Sequence, residues 1–415
     1  MTTERDVAEQ PQATAEGEIL MLIVIGSTPH IAINLIVPAL PAMAHVYDVS
    51  VGTIGLSVTS FLVGFGGSLP LCGPLADSFG RRKVLLVGLS IFILSSLACV
   101  VAPSAEAMIA LRALAGCSAA AATVVARALL RDGYDGGRLV RATAYLNAGM
   151  ASVPALGPLL GALLFEAGGW RLTAGAIGIF GAATLALGSV FVKKAAPPTA
   201  VAAPAEMFVA WRSVLKSRTF ILMSLVNAFQ HGTWWVFLAS SAELFLQDFG
   251  LSPTQYGLIP PLVTGSYMVG SMVVARFALM MAPFRIMGRA FLCQAAAVAV
   301  LVALPLLGVK SVWAVVMPEI VISMCVGVIT AVSTAQSLQM FPERAGAAAG
   351  LNGSITMLTG AACTGVVSAI AFPAYLSMSV LILGAALISL TAYVAAAAVE
   401  YSSTPRSNVS VPEVR

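Results

Sequence analysis

Apolar runs of about twenty residues or more recur along this chain with only short polar breaks between them, and no other feature constrains the fold as tightly. Such a run, wound as a helix at about 1.5 Å per residue, crosses the ~30 Å hydrocarbon core of a bilayer. The runs fall at roughly 19–43, 52–75, 83–102, 105–130, 139–165 and 170–192, then at 218–246, 254–281, 285–308, 312–340, 344–371 and 375–399. Twelve spans are therefore expected. The runs lack the short alternation and polar inner face of a membrane barrel, so the spans are expected to be helices and the chain an all-α membrane protein. Composition points the same way. Of 415 residues 59% are hydrophobic and 10% charged, against about 25% charged in an ordinary soluble domain. That balance argues against a soluble enzyme, a nucleic-acid-binding domain or a disordered chain.

The placement of charge matters more than the net value of +4. With the N-terminus placed in the cytoplasm, nineteen of the twenty-two Lys and Arg residues fall on that side, and Arg171 and Lys310 fall opposite. Arg112 lies within a span. The positive-inside bias then predicts a multi-pass protein of the inner or plasma membrane with both termini cytoplasmic. The acidic residues near the start (Glu4, Asp6, Glu9, Glu16, Glu18) oppose a basic signal region, so the first run is expected to remain as a span. The six cysteines sit inside apolar runs without paired spacing, which suits neither a disulfide framework nor a metal site.

The longest interior polar break, rich in Ala and Pro, divides the spans six and six. The expected organisation is a cytoplasmic tail at 1–17, a six-helix bundle at 18–192, a cytoplasmic linker at 193–216, a second bundle at 217–400 and a cytoplasmic tail at 401–415. Six-plus-six repeats are a pattern of secondary transporters, with substrate at the bundle interface. No phosphate-binding Gly-Lys-Ser/Thr loop is present, so active transport would have to draw on an ion gradient.

The break after the second run reads Gly73-Pro-Leu-Ala-Asp77-Ser-Phe-Gly80-Arg81-Arg82-Lys83. Gly80 permits a tight turn, and Asp77 can accept from the arginines. This stretch resembles the signature loop of the major facilitator superfamily. Three further stretches are similar to the bicyclomycin/chloramphenicol-resistance (Bcr/CflA) drug/proton antiporters: Arg127-Ala-Leu-Leu-Arg131-Asp132; Pro154-Ala-Leu-Gly157-Pro158-Leu-Leu-Gly161 with Gly169-Trp170-Arg171; and Phe249-Gly-Leu-Ser-Pro-Thr-Gln-Tyr-Gly257. The resemblance implies the two-bundle major facilitator fold, alternating access and an export direction associated with Gly157-Pro158. Asp77, Gly80, Arg81, Arg127, Arg131 and Asp132 would then belong to a gating latch at the inner face.

Ionisable groups at bilayer depth are functional candidates by default. Arg112 in span four and Glu319 in span ten occupy equivalent places, ~12 Å below the outer face. His30 in span one and His231 in span seven form a second equivalent pair, ~18 Å from the inner face. In the superfamily resembled, spans one, four, seven and ten surround the central cavity. Arg112 matches the family's span-four arginine, and it serves either the cavity or the holding of the bundle. The histidines suit proton exchange or quiet interhelical bonding. Asn34 stands where the related exporters carry a carboxylate, and it cannot titrate. Coupling would then pass to Glu319, Glu243 or His30, with Arg112 an electrostatic partner for Glu319, and Glu243 is alternatively an interfacial residue. Trp234 and Trp235, beside Asn227 and Gln230, suit a flat ligand or packing, and at most one of the two can face a cavity squarely.

The reading is a secondary transporter, not an enzyme, that exports a small organic molecule or drug in exchange for protons. It is expected to work as a monomer in the lipid bilayer, with no cofactor, metal or nucleic acid. A carrier of an endogenous metabolite, organic anion or siderophore, uncoupled or importing, is the alternative. A membrane-embedded enzyme or a sensor is more remote, because no nucleophile-base set or sizeable output domain is seen.

Overall fold

The structure is a computed structural model that describes residues 12–134, 136–192, 204–277, 282–341, 344–370 and 374–403. Among these residues the regular elements are all helical. Nine stretches are long and apolar enough to cross a membrane. One of them, Tyr145–Phe191, runs 47 residues and breaks at Gly168 and Gly169, where Gly169 adopts φ +70°. Two further helices of 25 residues each bring the architecture into agreement with twelve crossings.

Proline decides where the first crossing breaks. It consists of α1 (Gln12–Gly26), α2 (Thr28–Asn34) and α3 (Leu40–Tyr47), with Pro29 opening α2 and Pro38 in the tight turn between α2 and α3. Proline has no N–H to continue the ladder and favours the first turn of a new helix. Next come α4 (Val51–Phe79), α5 (Arg81–Val100), α6 (Ala105–Gly133) and the bent α7 (Gly136–Phe191). Ser50 and Ser104 cap α4 and α6 by accepting from backbone N–H groups three residues on.

The expected linker is partly structured. Residues 193–203 lie outside the described residues, but α8 (Pro204–Leu215) is a helix packed on α14. The alanines that suggest a flexible tether also favour a helix once a surface is available to cover it. The second half comprises α9 (Arg218–Ala242), running into a wide turn at Glu243–Asp248, then α10 (Pro253–Gly257), α11 (Ile259–Phe277), α12 (Pro283–Leu306), α13 (Val312–Gln339), α14 (Ala345–Ala369) and α15 (Ala374–Ser403).

Small residues set the tight crossings, as expected where lipid supplies no hydrophobic drive between helices. Gly64 of α4 and Gly116 of α6 lie against the backbones of Ala113 and Phe61. Gly270 of α11 and Gly327 of α13 repeat that arrangement against Met324 and Tyr267. The halves meet along α4 and α14, where Ser354 donates to the Gly66 carbonyl at 2.8 Å and Thr59 pairs with Thr364 at 2.8 Å. They meet again where α7 touches α10 and α11.

Candidate functional site

One end of the molecule, the basic end, is tied by the Gly80 turn. Gly80 takes φ +89° between α4 and α5, which swings Arg81 back across α6. There Arg81 pairs with Asp132, donates to the Ala128 carbonyl at 2.9 Å and lies 3.9 Å from Asp77. Arg82 donates to the Ser189 carbonyl at 2.8 Å. These contacts knit α4, α5, α6 and α7 of one half together. The residue that reaches the other half is Arg131, whose guanidinium stands 3.8 Å from a side chain's position at Gly346 on α14.

Arg112 is 3% exposed in the heart of the first half. It donates to the Ala32 carbonyl at 2.9 Å, and its guanidinium lies 4.6 Å from the Phe61 ring centroid. Ala32 is in the last turn of α2, where a helix leaves carbonyls without their own partners. Arg112 therefore holds the broken first crossing, and no ion pair joins it to Glu319. The two lie in different halves and are not in contact in this conformation. Asn34, 1% exposed, donates to the His30 carbonyl at 2.8 Å, and its Cβ occupies the space a side chain at Gly157 would need. Gly161, one turn on, lies against the Leu35 backbone. Gly157-Pro158 thus forms the seat for Asn34.

Glu319, 3% exposed, follows Pro318 in α13, and its Oε1 has no hydrogen-bond partner among the described residues. Eleven residues further along the same face, Thr330 donates to the Tyr267 hydroxyl at 3.2 Å. The Tyr267 ring meets the His231 ring edge-on at 6.2 Å. His231 Nδ1 lies 3.0 Å from the Asn227 carbonyl. The Asn227 amide donates to Thr356 at 3.0 Å and accepts from Thr334 at 3.1 Å. A separate knot joins Gln230 and Gln294 by reciprocal bonds of 3.0 and 2.8 Å, with Ser389 accepting from Gln230 at 3.0 Å.

The end away from the basic cluster is shut. Glu166 near the close of the first leg of α7 accepts from the Thr254 hydroxyl at 2.6 Å and from its backbone N–H at 3.0 Å. Gly52 abuts the Ser368 backbone. Glu243 and Trp235 line a small cavity of about 30 Å³ there, together with Val51, Gly55 and Thr364. Trp235 is buried against Gly360, and Trp234 stacks obliquely on Phe237 at 5.7 Å. Thus Trp235 faces the contact between the halves and Trp234 packs. Toward the basic end the picture reverses. Arg127 is exposed, and His30, His231, Tyr267 and Thr334 are part-exposed. These residues stand on α6, α2, α9, α11 and α13.

The Major Facilitator Superfamily model matches residues 22–364. The chain belongs to this superfamily of membrane transporters. Among curated proteins it is 34% identical to the "Chloramphenicol resistance protein" of Pseudomonas aeruginosa over 58% of this chain and 57% of that protein. It is 29% identical to the "Multidrug transporter MdfA" of Yersinia pestis bv. Antiqua (strain Angola) over 62% of this chain and 63% of that one. The matched regions thus span less than two thirds of these relatives. Among solved structures, a bacterial homologue of the human lysosomal transporter Spinster, inward-facing and unoccupied, aligns with TM-score 0.69 and 14% identity over 93% of this chain and 98% of that one. At that identity the likeness concerns the fold alone.

The superfamily fold accounts for residues the sequence reading passed over. Tyr267, Thr330, Thr334 and Thr356 form the polar wall of the second half. Hydroxyl residues are common within membrane helices, so only their convergence on Asn227 and His231 distinguishes them. The periodicity of α13 carried a usable signal, because Glu319 and Thr330 share a helical face. Gln294 was detectable as a lone amide in an apolar run.

Proposed function

We propose that this superfamily member is a secondary exporter of a small organic molecule, driven by protons and located in the plasma membrane with both termini cytoplasmic. In that orientation the basic end is the inner face and the conformation described is shut at the outer face. Glu319 carries the reading. A charged carboxylate buried with an unpartnered oxygen is costly, so a buried acid in this setting holds its proton. Rocking of the halves would bring Glu319 to water at the other face and change its occupancy. Asn34 cannot serve in its place, since an amide does not titrate.

The drug-resistance names of two relatives support export of an organic compound. The remainder of the proposed machinery follows the geometry. The cleft walls bearing His30, Arg127, His231 and Asn227 receive the substrate, and the Arg81–Asp132 latch with Arg131 moves as one unit with the first half. The test uses everted membrane vesicles with a pH-sensitive dye and a panel of phenicols, cationic dyes and organic anions. A substrate-triggered, transporter-dependent proton movement supports antiport. Accumulation of substrate with no accompanying proton movement would replace it with an uncoupled metabolite carrier, the second reading, which the non-titrating Asn34 favours.

A further inference from the structure

We infer that the cleft is built for an organic anion, a molecule bearing a carboxylate, phenolate or phosphate group, and selects against lipophilic cations. The inference rests on the proposal that this cleft carries the substrate. Its first support is the set of polar side chains toward the basic end that are exposed or part-exposed. On the first half these are Arg127 and His30, on α6 and α2, which pack against each other. Arg131 lies four residues on, on the same face of α6, and reaches toward α14, so this face looks across to the opposite half. On the second half stand His231, Tyr267 and Thr334, with Asn227, Thr330 and Thr356 behind them. That wall offers hydroxyl, amide and imidazole groups and no carboxylate.

The acids among the described residues lie elsewhere, with Asp48, Glu106, Glu166 and Asp248 at the shut end. Glu319 is closed off at 3% exposure. Glu243 lines the small cavity at the shut end. Asp77 and Asp132 are both engaged by Arg81. Glu18 is exposed on the first turns of α1, near Tyr134. Among the described residues, the ionisable groups facing the cleft are therefore basic. Low-dielectric walls lined by one sign of charge concentrate ions of the other sign. A cation entering would pass Arg131 and Arg127 and, among the described residues, meet no carboxylate beyond them. An anion would pass the same arginines with favourable energy and meet the Tyr267 hydroxyl, which accepts from Thr330 and so keeps its own proton to donate.

The sign of the cleft can be read without knowing the substrate. A single reporter, Thr334→Cys, is placed in the full-length chain with its six native cysteines replaced, and labelled in membranes. The reagents are sulfonatoethyl methanethiosulfonate (anionic) and trimethylammonioethyl methanethiosulfonate (cationic), each rate divided by its rate with a free thiol. The anionic reagent should be favoured about tenfold, the low end of electrostatic focusing in clefts, and Arg127→Gln should bring the ratio to within about twofold of unity. Equal or faster labelling by the cation overturns the inference, as does an anion preference that survives Arg127→Gln. Failure of both reagents to label would show that the cleft is closed to ions, and that also overturns it. Proton coupling does not enter this measurement, so its outcome stands apart from that of the vesicle assay.

Discussion

An arginine in hydrocarbon must find somewhere to put its donors, and Arg112 places one on the Ala32 carbonyl and its face on the Phe61 ring, although its Nε is left without a partner among the described residues. Glu319 has no such arrangement for its Oε1. The two substitutions should therefore separate cleanly. Arg112→Met, which keeps length but loses the bond and the charge, should lower stability by about 1–3 kcal/mol, seen as a reduced melting temperature in detergent. Glu319→Gln should leave melting nearly unchanged and abolish the pH dependence of transport. A melting loss for Glu319→Gln equal to that of Arg112→Met would assign Glu319 a packing role. The sequence marked both residues correctly as buried ionisable groups, because few physical reasons put a charge at that depth. It could not tell that one is anchored and the other is not. That difference depends on where Pro29 and Pro38 break the first crossing and present the Ala32 carbonyl.

Between helices, glycine decides which faces can close. A methyl group at Gly161 would meet the Leu35 backbone, and one at Gly157 would stand 2.7 Å from the Asn34 Cβ. Gly161→Ala should cost about 1–3 kcal/mol, the usual penalty of overpacking, and should destabilise more than Gly157→Ala because a backbone yields less readily than a side chain. Thermal unfolding of the two variants checks the order. Gln230→Ala should lose a comparable amount, since the Gln294 amide is left buried without its reciprocal partner. The Gly157-Pro158 motif entered the sequence reading only through the resemblance, for an export direction. Its partner, Asn34, was read as a missing carboxylate and not as the residue seated on that glycine. The helical character of α8 was also missed, because composition alone does not show that α14 offers it a surface.

For the molecule as a whole, the two ends are held by different means. The basic end is tied by polar bonds within the first half, around Arg81, with Arg131 approaching Gly346 of the second, while the shut end is tied between halves by Glu166 on Thr254. The latter pair is an exposed hydrogen bond and not an ion pair, since Thr254 carries no charge, and it is worth about 1 kcal/mol. Glu166→Ala should shift the balance toward opening at that end by no more than about fivefold, measurable as faster labelling of a cysteine placed at Thr364. The twelve spans and their division into halves could be read from apolar runs alone. Which end is closed could not, because both conformations of a rocking bundle bury much the same apolar surface and differ in a few polar contacts across the interface. The most direct measurement of the central claim is substrate-driven proton flux in proteoliposomes containing the purified chain, compared between wild type and Glu319→Gln. If Glu319 carries the coupled proton, wild type moves protons with substrate, and the variant binds substrate but moves no protons. Undiminished proton flux through Glu319→Gln would contradict it.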